Sequence, residues 1–161
     1  MIRPARASDA GGIASIWNPI IRDTTITFNP VEKSEPEIAA LMNTRQAEGH
    51  AFLVAETGGK VLGFASYSQF RPGPGYARCM EHSLYLAPQA RGEGLGRALM
   101  DALAKHARAR PMRMLIGAMT ESNTNSVAFH ARLGFVEVAH IPDAGWKFGR
   151  YHDLVLMQLR L

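Results

Sequence analysis

"LYLAPQARGEGLGRALM", residues 84–100, runs from an apolar stretch through Pro88 into a loop with glycine at 92, 94 and 96, then into residues that favour a helix. Glycine loses more backbone freedom on ordering than any other residue, so this density needs a reason. A helix N-terminus supplies one. Its first amides have no intrahelical acceptor and its dipole is positive there, so a glycine-rich entry makes a backbone site for an anion. Arg91 and Arg97 flank the loop and add charge. An ordinary glycine-rich turn is the competing reading.

Two phosphate loops do not fit. A P-loop needs G-x-x-x-x-G-K-S/T, but Arg97 and Ala98 follow Gly96, so the lysine and the magnesium-binding hydroxyl are both missing. A dinucleotide fingerprint needs G-x-G-x-x-G near the start of a βαβ unit and an acid about 20 residues on. Here the glycines run G-x-G-x-G past mid-chain.

Outward from the loop, period and punctuation assign the remaining elements. "IRP" opens as a strand, and Ser8 stands where an N-cap belongs ahead of a helix with Ile13, Ile16, Trp17 and Ile20 on one face. "DTTITFNP" is a polar loop carrying Phe28, and Ser34 with Glu37 forms a capping box for a second helix that stops at Gly49. "AFLVAE", "TGGK" and "VLGFASYSQF" read as a hairpin, and "RPGPG" as a loop carrying Arg71. "CMEHSLYLA" is a central strand; the glycine loop opens a helix to about Arg108; "MRMLIGAM" is a buried strand. "NTNSVAFHARLGF" is a short helix ended by Gly134, and "VEVAHI" and "HDLVLMQLRL" are closing strands. The order β-α-α-β-β-β-α-β-α-β-β is that of a single α/β domain over residues 1–161 with one dominant sheet.

Composition sets the outer bounds. The hydrophobic share of 47% and charged share of 20% are those of a globular protein, and no apolar run approaches a membrane span. The N-terminus carries no readable signal peptide, and Cys79 is the single cysteine, so a cytoplasmic protein without a disulfide is expected. The net charge of +4 raises the question of an acidic partner, but the arginines are scattered, with Arg108, Arg110 and Arg113 as the densest group. A nucleic-acid surface would want a continuous basic face with interleaved aromatics, so none is expected. The six histidines show no metal-ligand spacing, and no metal is expected.

A third loop type fits. Gln89, Gly92 and Gly94 make Q-x-x-G-x-G, and "NTNSVAFHARLGF" matches N-x-x-A/S-x-x-F/Y followed by LGF, one strand further on. In these residues the chain resembles the GCN5-related N-acetyltransferases, the GNAT family. "EHSLYL" before the loop, "FH" at 129–130 and "GRYHDLVLMQL" at the end extend the likeness to nearly the whole chain. They are similar to the phosphinothricin and methionine-sulfoximine acetyltransferase branch. Relatives there carry an arginine directly after the tyrosine and a threonine two before the glutamate; this chain has Ala77 and Cys79, with Arg78 one place along.

The resemblance implies a GNAT fold: a mixed, mostly antiparallel sheet splayed at its middle strands and flanked by about four helices. It implies acetyl-CoA as cosubstrate, with the pyrophosphate on the backbone of Arg91, Gly92, Gly94, Leu95, Gly96 and Arg97. Asn123 and Ser126, one helical turn apart, would face the pantetheine arm, and backbone groups of Leu84, Tyr85 and Leu86 would hold the thioester. Glu81, a carboxylate inside an apolar strand, is the expected general base; the alternative is a structural partner for Arg71, Arg78 or His82. His130 stands where many members have a tyrosine, either to protonate the leaving thiolate or only to pack. Phe28, Arg71, Gly75, Tyr76, Arg78 and Glu81 are the expected substrate-binding set, the arginines receiving a carboxylate or phosphinate. Trp146, Lys147, Arg150 and Tyr151 precede the last strand, to close the pocket or form a dimer contact; the branch resemblance implies a homodimer. Cys79 has no histidine placed to activate it and is expected to be structural.

The implied activity is transfer of acetyl to the α-amine of a small amino acid or analogue, by direct attack in a ternary complex. A protein N-terminal or lysine acetyltransferase and a non-catalytic coenzyme A sensor are the alternatives.

Overall fold

The computed structural model describes residues 1–161. Eleven regular elements follow the expected order: β1 (Ile2–Pro4), α1 (Ala10–Asp23), α2 (Glu35–Ala47), β2 (Phe52–Thr57), β3 (Lys60–Gln69), β4 (Cys79–Leu86), α3 (Leu95–Arg108), β5 (Met114–Thr120), α4 (Thr124–Arg132), β6 (Val136–Lys147) and β7 (Arg150–Arg160). The strands form one seven-stranded sheet in the order β1-β2-β3-β4-β5-β7-β6. Every neighbouring pair is antiparallel except β4 and β5.

Strand alternation sends side chains to two cores, one on each sheet face. Phe52, Val54 and Phe64 meet Ile13, Ile16 and Ile20 of α1 and Ile38 and Met42 of α2. Leu53, Ala55, Ala65 and Met80 meet Leu99 and Leu103 of α3. Full burial of each such Leu, Ile or Phe is worth about 1.5–3 kcal/mol, which fixes which face of each helix turns inward.

The parallel pair creates the site. β4 and β5 are registered only from Cys79–His82 against Met114–Gly117. Beyond that point β4 stays with β3 as far as Leu86, and β5 stays with β7 as far as Thr120. The two middle strands part, leaving backbone groups on facing edges without a ladder partner.

Two local expectations are corrected. Ser8 does not cap α1. The chain makes a 3-10 turn over Ala7–Asp9, and the Asp9 carboxylate accepts the Arg6 amide at 2.7 Å. Arg3 grips the same carboxylate through both terminal nitrogens at 2.8 Å, so Asp9 has the stronger claim on the helix entry. The penultimate strand is also longer than "VEVAHI". β6 continues through Pro142 to Lys147, with register shifts after Glu137 and Ile141 and Asp143 at φ 53°. An edge strand tolerates a proline and bulges because one side needs no partner, so Trp146 and Lys147 sit on a long hairpin rather than in a loop. The Ser34–Glu37 capping box is present as expected.

Candidate active site

A cavity of about 560 Å³ opens where β4 and β5 part. Glu81, Leu84 and Tyr85 reach it from β4, Asn123, Ser126 and His130 from α4 and its cap, and Phe28 from the loop after α1. These seven expected site residues are brought together from separate parts of the chain.

Glu81 is half-buried, between Ser68 of β3 and Ile116 of β5 in the sheet register. Burial alone pushes its carboxyl above the ordinary glutamate value. No ion pair forms with Arg71 or Arg78, which lie exposed in the loop before β4, and His82, which lines the same cavity, bonds to His130 instead. A carboxylate with no bonding partner, facing a cavity, is placed to take a proton from something that enters.

His130 is almost wholly buried, and both ring nitrogens are engaged. Nδ1 lies 2.7 Å from the Ser126 carbonyl, which can only accept, so the Nδ1 proton is donated there. Nε2 lies 3.1 Å from His82 Nε2, and with both rings neutral it is the acceptor of the His82 proton. Burial lowers both pKa values, that of His82 to about 3, and the neighbouring His130 adds to the effect on His82. In this arrangement the pair is neutral, and His130 presents no free proton to the cavity. Its local geometry is that of a packed residue which also tethers Ser126.

The glycine loop lies at the start of α3. Gly92 and Gly94 take positive φ, 82° and 76°, with open space where a Cβ would stand. The first α3 hydrogen bond runs from the Ala98 amide to the Gly94 carbonyl at 3.1 Å, leaving the amides of Leu95, Gly96 and Arg97 free of helical acceptors. Such a concave row of donors, open on its outer side, fits a pyrophosphate. Gly96 serves packing instead. A Cβ there would stand 3.3 Å from Leu86 and from the Phe129 ring, so its absence lets α3 close on β4 and α4. Leu86 packs in this contact and does not line the cavity. Arg91 is exposed, and Arg97 donates to the Arg132 carbonyl at 3.3 Å.

Asn123 caps α4, its Oδ1 accepting the Ser126 amide at 3.3 Å. The expected substrate residues are divided. Phe28 lines the cavity, whereas Arg71, Gly75, Tyr76 and Arg78 do not: their loop is exposed, with the Arg71 guanidinium 5.9 Å from the centre of the Tyr76 ring. Within this chain the cavity cations are Lys33 and Arg45 instead. Sequence inspection misses Lys33 because it is one charge in a polar loop. Its placement comes from Asn18 in α1, which exchanges two 2.9 Å bonds with the Lys33 backbone. Its ammonium lies 5.1 Å from the centre of the Trp17 ring, which also lines the cavity.

The model of the acetyltransferase (GNAT) family matches residues 17–135. A methionine sulfoximine and methionine sulfone acetyltransferase from Pseudomonas aeruginosa is 39% identical over 99% of this chain and 94% of its own length. A crystal structure of a ribosomal-protein-alanine N-acetyltransferase from Brucella melitensis has a TM-score of 0.97 at 36% identity, covering 100% of this chain and 99% of that one. A phosphinothricin acetyltransferase from Sinorhizobium meliloti, solved in complex with acetyl-CoA, has a TM-score of 0.95 at 33% identity, covering 100% of this chain and 88% of that one.

Proposed function

The chain belongs to the GNAT family and is an N-acetyltransferase, and from that premise we propose that it moves acetyl from acetyl-CoA to the α-amine of a small amino acid or analogue of the methionine sulfoximine or phosphinothricin type. The observation that carries this reading is Glu81, a carboxylate with no bonding partner in a cavity whose cations, Lys33 and Arg45, come from this same chain. An α-amino acid brings an ammonium to lose a proton and a carboxylate to meet a cation. A protein N-terminus, as the Brucella likeness would favour, brings the amine without the adjacent carboxylate and leaves Lys33 unanswered, whereas Arg45 already meets Glu48 at 3.5 Å.

Acetyl-CoA, when bound, supplies an activated thioester. The amides at the α3 entry hold its pyrophosphate; Asn123 and Ser126 face the pantetheine arm. Unpaired backbone groups of Leu84 and Tyr85, where β4 leaves β5, orient the carbonyl and stabilise charge on its oxygen. Glu81 takes the ammonium proton, directly or through water, and the neutral amine attacks the thioester carbon in a ternary complex. The C–S bond then breaks, and a proton still on the nitrogen passes, through water, to the departing coenzyme A thiolate. Phe28 walls the acceptor side. Arg71 and Arg78, in the exposed loop before β4, offer a second anion subsite, subordinate to Lys33 and Arg45. The exposed Trp146, Phe148 and Tyr151 near the tip of the β6–β7 hairpin support a homodimer through that face. Cys79 as the single thiol suits a cytoplasmic setting.

A thiol-release assay with acetyl-CoA tests the reading across amino acids, their sulfone, sulfoximine and phosphinate analogues, and peptides with free N-termini. Turnover of the small acceptors is expected. Turnover of peptides alone would replace it with the protein N-terminal reading, and binding of acetyl-CoA without turnover on any acceptor would leave a sensor.

A further inference from the structure

Lys147 is buried, near the end of β6, and forms no ion pair. Its ammonium donates to three backbone carbonyls: Ile21 at 2.5 Å, Thr24 at 2.6 Å and Thr27 at 2.8 Å. An ammonium has three N–H donors, so each is used. Ile21 and Thr24 belong to the end of α1 and its cap, where carbonyls lack helical partners and the dipole favours a cation. Thr27 belongs to the loop that carries Phe28.

Burying an ammonium is expensive, and a methionine of similar length would fill the same volume without that cost. What methionine cannot do is gather three carbonyls into one point. The same hairpin seats the Phe28 ring. A Cβ on Gly145 would overlap that ring, and His152 of β7 stacks on it with centroids 5.8 Å apart, while His152 Nε2 donates to the Lys147 carbonyl at 2.9 Å. From the other side the Thr120 hydroxyl donates to the Thr25 carbonyl. The loop thus hangs between α1, β5 and the hairpin, with Ile26, Thr27 and Phe28 turned to the cavity.

We propose that Lys147 is a positioning residue that clamps the Phe28 loop, so that the β6–β7 hairpin sets the shape of the acceptor pocket. The pocket's acceptor role rests on the function proposed above; the clamp itself does not. Two readouts keep them apart. Amide hydrogen exchange of the protein without substrate judges the clamp. In Lys147→Met, exchange over residues 24–29 should quicken by about tenfold or more, as loss of a charged hydrogen bond predicts, with β3 and β4 unchanged. Kinetics judge the pocket: KM for the amino-acid acceptor should rise about tenfold or more while acetyl-CoA affinity stays within about twofold. Gly145→Ala keeps Lys147 and displaces the Phe28 ring, so it should raise the acceptor KM in the same way. Lys147→Gln, whose amide keeps two of the three donors, judges the clamp by the same exchange readout if Lys147→Met does not fold. Unchanged exchange over 24–29 in folded Lys147→Met overturns the clamp, whatever acceptor the enzyme uses. Quickened exchange with an unchanged acceptor KM, or equal losses for acceptor and acetyl-CoA, overturns its role in the pocket.

Discussion

Glu81 and Lys33 show how much of a site one residue's neighbours decide. Glu81 was legible in the sequence because a carboxylate inside an apolar strand is conspicuous, and the fold leaves it without a partner. Lys33 was not, because its position depends on Asn18 across a loop closure that no local pattern records. Magnitudes say what each should do. An α-amine with a pKa near 8 is about 10% neutral at pH 7, so removing its proton costs about 1.4 kcal/mol, and somewhat more beside the carboxylate of a free amino acid. Glu81→Gln, which keeps the shape but cannot accept a proton, should therefore slow turnover at pH 7 by roughly 10- to 100-fold. Much of the loss should return at pH 9, when solvent has removed the proton. A pH–rate profile checks this, and parental activity at pH 7 would place the base elsewhere. Lys33→Ala should raise KM for an amino acid by roughly 10-fold, about the worth of one charge-assisted bond, and leave amines lacking a carboxylate unaffected. Arg71→Ala, measured beside it, should have the smaller effect; the reverse order would return the outer loop to the substrate site.

Elements carry the next level, and here the sequence was most readable where an element is defined by its own residues. The capping box of α2, the glycine entry of α3 and the succession of helices and strands along the chain follow from local chemistry. The ends of β6 did not, since its bulges and Pro142 are tolerated only because β6 lies at the sheet edge. Sequence could place Ser126 and Asn123 on one helical turn; it could not foresee that His130 spends one nitrogen on Ser126 and the other on His82. The α3 entry gives an element-scale test. Gly94 is the N-cap in a left-handed conformation, so Gly94→Val both strains that conformation and places a branched side chain over the free amides. Calorimetry should show acetyl-CoA affinity falling by at least roughly 10-fold in a variant that remains folded. Unchanged affinity would take the pyrophosphate away from this loop.

At the scale of the molecule, the buried histidines set how the fold responds to acid. Burial holds His50, His82, His106 and His130 below the ordinary imidazole value, His82 at about 3. Below pH 6.5 the unfolded chain therefore takes up protons that the folded chain refuses. The stability they confer is full above the unfolded pKa and lost as pH falls toward the folded one. For His82 alone that loss is about 2 kcal/mol at pH 5, and the other three add to it. His140, raised by its bond to Asp153, works in the opposite sense, while Asp9, held low by Arg3, adds its own loss only at more acid pH. Urea unfolding should thus show stability declining already between pH 6.5 and 5, before carboxylates titrate. His82→Gln keeps a donor at the position of Nε2 toward His130 but cannot titrate, so its decline over that interval should be shallower by up to about 1.4 kcal/mol per pH unit, whatever its stability at pH 7.5. A parent protein equally stable at pH 6.5 and pH 5, or a variant with the parental slope, would mean that the His82–His130 pair accepts a proton in the folded state. That outcome would also restore to His130 the proton a general acid needs.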